Sequence, residues 1–167
     1  EFEKAARLRD QAQAVREVVE KQKITSGGFE DRDVVAMASA RDNTCVMIFF
    51  VRGGKLIGRE HFMLKGTEGL NTAEVLGSFI KQYYSTVDII PGEILLQEDL
   101  AEEGAVIESW LTMKRGARVR LKRPVRGEKR KLVEMVAEHA AITLDQALAQ
   151  EAARRGDKAG ALAMLAA

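Results

Sequence analysis

Two sets of residues in this 167-residue chain are of a type that could act on phosphates. The first is a scatter of carboxylates: Asp33, Asp42, Glu74, Glu98 and Asp99. Metal-dependent phosphodiester hydrolysis needs such acids, because the metals they hold activate the attacking water and stabilise the leaving oxygen. The second set is basic. Between Lys114 and Lys131 stand ten Lys or Arg residues with Glu128 as the single acid, so the net charge of +1 conceals a strong polarity. Cations in that density can neutralise a phosphate backbone through contacts that are salt-sensitive and indifferent to sequence. Other chemistries are poorly served. Cys45 stands alone in an apolar run, which excludes an internal disulfide and a multi-cysteine metal site and makes it a packing residue. His61 and His139 are isolated, so neither a serine nor a cysteine nucleophile finds a partner base. Gly53-Gly54 lacks the phosphate-loop pattern, and a hairpin turn is sufficient to explain it.

The elements that must position these residues follow from periodicity. Ala5, Leu8, Ala12, Val15 and Val19 recur at steps of three and four, predicting an amphipathic helix over residues 1–24. Thr25-Ser26-Gly27-Gly28 breaks it, and residues 25–32 read as a linker. Val34 to Ala40, Thr44 to Val51 and Lys55 to Leu64 have strand character, with separators short enough for antiparallel hairpins. Asn71 with Glu74 marks a helix start, and Val75, Leu76, Phe79, Ile80, Tyr83 and Tyr84 form its buried face. Glu93 to Gln97 reads as a strand, Ala105 to Lys114 as a helix and Arg118 to Lys122 as a strand. A long helix starts near Glu128 and is expected to end around Arg154 to Asp157.

This order predicts an α/β domain over residues 33–156. The expected fold is ribonuclease-H-like, a mixed five-stranded sheet with flanking helices, followed by a helical extension over 157–167. Hydrolysis on such a scaffold requires an acid in the middle of the first strand. Asp33 falls at the start of that strand and Asp42 in the turn after it, while Glu74 reads as part of a helix cap and Glu98 and Asp99 as acids around a loop. The catalytic carboxylate set is therefore incomplete, and neither catalytic residues, metal nor cofactor are expected.

The basic segment is the stronger signal. Arg118, Arg120 and Lys122 alternate with Val119 and Leu121, which puts three cations on one face of a strand. With Arg115, Arg123, Arg126, Lys129 and Arg130 they make the candidate DNA contacts. Arg126-Gly127, ahead of the last helix, could also offer donors to an anion. Two plainer roles compete: charge protecting an edge strand from aggregation, or a basic surface paired with acids such as those from Glu98 to Glu103.

Phe2-Glu3-Lys4-Ala5-Ala6-Arg7-Leu8-Arg9-Asp10 resembles the second helix of the UVR motif shared by UvrB and UvrC. Four further segments are similar to the region that follows this motif in the UvrC family of bacterial excision-repair nucleases. They are Val51-Arg52-Gly53-Gly54-Lys55-Leu56, Phe79-Ile80-Lys81-Gln82-Tyr83-Tyr84, Pro91-Gly92-Glu93-Ile94-Leu95 and Pro124-Val125-Arg126-Gly127. The resemblance implies docking on UvrB through Phe2, Ala5, Leu8, Arg9, Ala12 and Val15, weakened because the first helix of the hairpin does not precede them. It also implies that both incision centres of the family lie in other domains: an N-terminal GIY-YIG nuclease, and a C-terminal ribonuclease-H-like nuclease followed by helix-hairpin-helix units.

The expectation is thus a non-catalytic central domain of a UvrC-like excision nuclease, read from a chain that begins at Glu1 without methionine and looks like a piece of a larger protein. Its expected partners are damaged double-stranded DNA, UvrB and the other domains of the parent chain. No apolar run is long enough to span a bilayer, and a cytoplasmic location is expected. The alternatives are a purely protein-binding spacer and, further off, a divergent metal-dependent nuclease.

Overall fold

The computed structural model describes the backbone of residues 31–166 and the side chains of 31–156. The opening helix and most of the linker lie outside the described residues. Strands β1 (Arg32–Ala40), β2 (Asn43–Arg52) and β3 (Lys55–Lys65) form an antiparallel meander, followed by helix α1 (Thr72–Thr86), strand β4 (Glu93–Leu96), helix α2 (Ala101–Arg115), strand β5 (Arg120–Lys122) and helix α3 (Gly127–Ala166). The sheet order is β3-β2-β1-β4-β5, with β1 parallel to β4 and β4 parallel to β5. The mixed five-stranded α/β sheet expected from the element order is the one observed.

The β2–β3 turn explains its two glycines. Gly53 and Gly54 take φ values of +60° and +77°, the left-handed conformation that a two-residue hairpin demands and a Cβ disfavours. Helix α1 starts where the cap signal placed it, with the Asn71 Oδ1 accepting from the Glu74 backbone N–H at 2.8 Å. Replacing Asn71 by alanine is expected to cost about 1 kcal/mol, read as a lower urea midpoint with unchanged slope.

Strand alternation divides the core in two. Val35, Met37, Val46 and Ile48 meet Leu76, Phe79, Ile80 and Tyr84 of α1 and Ile107 and Leu111 of α2. Val34, Ala36, Cys45, Met47 and Leu95 meet Leu132, Val133, Val136, Ala140 and Leu144 of α3. Cys45 is fully buried there, and burial pushes its thiol above the usual range.

Several boundaries differ from the sequence reading. Strand β1 begins at Arg32, so Asp33 is its second residue and is buried, rather than a flanking acid. Helix α2 begins at Ala101, a turn earlier than expected, where Asp99 Oδ1 accepts from the Ala101 N–H at 2.9 Å. Strand β5 is shortened to Arg120–Lys122. Helix α3 runs unbroken through Gly156 to Ala166. A lone glycine costs a helix only about 1 kcal/mol relative to alanine, and the Ala, Leu, Lys and Arg residues around it restore that. Among the described residues no helix is long and apolar enough to cross a membrane.

Candidate nucleic-acid interface

The parallel register assembles the basic surface. Arg32 pairs with Glu93 across β1 and β4, and Glu93 with Arg120 across β4 and β5, while Lys122 lies opposite Leu95. Paired residues of a sheet share a face, so Arg120 and Lys122 stand on the α3 side, where the first turn of α3 brings Lys129 to the same place. Glu93 is the hub. It is only 4% exposed, and Lys129 Nζ at 2.9 Å, Lys122 Nζ at 3.2 Å and Arg32 Nε at 3.1 Å surround it. Burial alone would raise its carboxyl, but the hydrogen bonds from Lys129 and Lys122, with the charges of Lys129 and Arg32, outweigh that and hold it below the usual carboxylate range.

The eight candidate cations are thereby sorted. Lys122 and Lys129 are bound to Glu93. Arg130 pairs with Glu134 one turn along α3, and Arg123 approaches Glu98 at 3.9 Å. Arg115 donates from Nη1 to the Arg118 carbonyl at 2.8 Å. Arg118, Arg120 and Arg126 are exposed and make no ion pair with a described residue. Arg115, Arg118, Arg120 and Lys122 line one cleft of about 450 Å³ that also holds Asp31, Gly92 and Glu93. Arg123, Arg126 and Arg130 are not among its walls.

Both plainer roles for the basic strand lose ground. An exposed strand edge endangers a protein through its unpaired N–H and C=O groups. The edge of β5 that faces away from β4 is already covered, because the Val119 N–H donates to Thr112 Oγ1 at 3.1 Å and the Leu121 N–H to Glu108 Oε2 at 3.3 Å, both from α2. Acidic pairing accounts for Arg123 and Arg130 but not for Arg118, Arg120 and Arg126, since of the acids from Glu98 to Glu103 only Glu98 approaches the basic segment, while Glu103 pairs with Lys81 of α1.

The candidate metal-binding acids are each committed elsewhere or dispersed. Asp33 Oδ2 accepts from the Tyr84 hydroxyl at 2.6 Å and Oδ1 from Arg52 Nη1 at 2.9 Å. Burial raises the Asp33 carboxyl in spite of these bonds. Asp42 Oδ1 accepts from the Glu68 N–H, and its carbonyl from Gly66 and Thr67, tying down the loop after β3. Glu74 is exposed at the start of α1. Toward α1, the middle of β1 presents Val35 and Met37, both buried, and the Met37 N–H donates to the amide oxygen of Gln97 just past β4. Among the described residues no three His, Cys, Asp or Glu side chains converge.

Sequence reasoning missed the two buried polar centres. The sequence pattern places Glu93 only in a strand and offers Asp33 only as a candidate metal ligand. Their partners, up to 61 and 51 positions away, are set by register and helix packing.

A mixed five-stranded sheet in this order, flanked by helices on both faces, defines a ribonuclease-H-like domain. A family model described as the UvrC Ribonuclease H-like domain matches residues 31–147, and the chain belongs to that family. Similar curated proteins carry the name UvrABC system protein C. The one from Acetivibrio thermocellus is 51% identical over 146 residues, covering 87% of this chain and 23% of that protein. Those from Moorella thermoacetica and Symbiobacterium thermophilum are also 51% identical, over 148 and 140 residues, covering 89% and 84% of this chain and 24% and 22% of theirs. The chain thus spans about a quarter of the length of the relatives it matches. Among solved structures, a foamy viral protease-reverse transcriptase in complex with dsDNA is similar at a TM-score of 0.43 and 10% identity, over 72% of this chain and 97% of that one.

Proposed function

We propose that this domain is a non-catalytic DNA-contacting scaffold within an excision-repair nuclease, and that the exposed arginines of the β5 region make the contact. The observation that carries this reading is the cluster of Arg118 and Arg120 beside one cleft, without an ion pair to any described residue and at the head of a strand whose outward N–H groups are already hydrogen-bonded. Val35 and Met37, where hydrolysis would need a carboxylate, support a role without chemistry. Lys122 and Lys129 serve Glu93 first and add to the positive field from behind. Docking on UvrB falls to Phe2, Ala5, Leu8, Arg9, Ala12 and Val15, which lie outside the described residues, and contacts with damaged duplex DNA and the parent's other domains complete the scaffold role.

A second reading, a protein-binding spacer, is favoured by Val106 and Met113, which expose 69% and 83% of their surfaces on α2. Fluorescence anisotropy with damaged and undamaged duplexes across a salt series separates the two. Wild type should bind in a salt-dependent way, and Arg118→Glu/Arg120→Glu should weaken binding at least tenfold and lower the salt slope by about two, roughly one per phosphate contact. Absence of wild-type binding at low salt would leave the spacer as the better account.

A further inference from the structure

Among the arginines around the cleft, Arg115 is held by a hydrogen bond to the backbone. Its Nη1 donates to the Arg118 carbonyl at 2.8 Å, and its guanidinium packs over Gly92, where an added Cβ would lie 3.4 Å from Nη1. The absence of a side chain at Gly92 leaves room for the planar group to lie against the β4 end of the cleft. Both acids of the cleft are otherwise engaged. Asp31 Oδ1 accepts from the Gly53 N–H at 3.0 Å, and Glu93 is surrounded by Arg32, Lys122 and Lys129. The cleft therefore presents an arginine held by a hydrogen bond and two further exposed arginines, none in an ion pair with a described carboxylate.

The spacing of these cations is also informative. Residues two apart on an extended chain stand about 6.6 Å apart, comparable to the distance between successive phosphates of one nucleic-acid strand. Arg120 and Lys122 keep that spacing in β5, while Arg118 stands two residues ahead of Arg120 and Arg115 closes α2, all four on the same cleft. Arg118 also borders a second groove on α2, lined by Ala105, Glu108, Ser109, Thr112 and Met113, whose one acid, Glu108, accepts from the Leu121 N–H and whose other walls are small or apolar.

We infer that the cleft of Arg115, Arg118 and Arg120 over Gly92 seats successive phosphates of a single DNA strand, with Arg115 as a preset phosphate clamp and the α2 groove beside it receiving unstacked bases. This rests on the DNA-contact reading and narrows it, because a site that follows one backbone has no need of the second strand. A planar guanidinium matches phosphate oxygens with two parallel N–H donors, which a lysine ammonium at the same position cannot reproduce.

The test is anisotropy with a labelled oligothymidylate of about twelve nucleotides, a length within the usual range of single-strand sites, against a duplex of equal length. Wild type should bind the single strand at least as tightly as the duplex. Arg115→Lys, which keeps the charge, should weaken single-strand binding roughly tenfold, the scale of one lost charge-assisted hydrogen bond. Unchanged thermal melting of the variant shows that the loss is local. Duplex binding with single-strand binding an order of magnitude weaker would overturn the inference and leave the DNA-contact reading standing. Arg115→Lys indistinguishable from wild type would likewise overturn it. Failure to bind either probe at low salt would overturn both.

Discussion

Replacing Glu93 by alanine should destabilise the domain by about 3–5 kcal/mol, the range seen when one partner of a buried ion pair is removed. Three cations converge on this one carboxylate, and the side chain of Arg32 is itself only 3% exposed. Lys122 and Lys129, at 43% and 31% exposure, can turn toward water, which holds the loss within that range. Urea unfolding should show a midpoint well below that of wild type, and a change under about 1 kcal/mol would mean that the cluster contributes only as a surface pair does.

The same hub sets a pH dependence. The folded-state pKa of Glu93 lies below its ordinary value of 4.5, so its stabilisation is complete above that value and is lost as pH falls through the lower folded value. Asp33 works in the opposite direction. Its folded-state pKa is raised above 3.8, so protonation favours the folded form as pH falls toward that value, partly offsetting the loss at Glu93. Glu93→Gln should therefore flatten the acid limb of the stability curve, measured by thermal melting between neutral pH and the acid transition.

The second large effect is expected at Tyr84. This side chain is fully buried, packs edge-on against Tyr83 at 4.9 Å and donates its hydroxyl to Asp33. Tyr84→Ala should cost about 3–5 kcal/mol from lost aromatic burial alone. Tyr84→Phe separates the two contributions, because it keeps the ring and deprives Asp33 of one partner. A further buried group left short of a hydrogen bond costs about 1–3 kcal/mol. If Tyr84→Phe were neutral by urea unfolding, the hydroxyl would have no share in holding Asp33.

What could be read from residue order was whatever depends on near neighbours. The Gly53-Gly54 turn and the Asn71 cap are local, and each occurs as expected, while the alternation of cations holds in the strand only for Arg120 and Lys122, Arg118 standing just ahead of it. The ion-pair hub was illegible because Arg32, Glu93 and Lys122 meet only through the register of two parallel pairings, and parallel strands have no short turn to announce their register. The separation of engaged lysines from exposed arginines was hidden for the same reason. A run of ten cations looks uniform until the fold supplies one carboxylate that selects among them. Helix α3 passes its expected end because a lone glycine is a weak terminator, and the helix-forming residues on both sides carry the helix through Gly156.

The coverage of β5 by Thr112 and Glu108 also makes the two margins of the sheet unequal. At β5 the outward N–H groups of Val119 and Leu121 are already taken by side chains of α2, so that margin offers neither donor to another strand. At the opposite margin, β3 presents eleven residues with no neighbour beyond them among the described residues, carrying Lys55, Arg59 and Lys65. Growth of this sheet by strand addition is thus favoured at the β3 margin, and repulsion between like-charged margins opposes two copies that meet there.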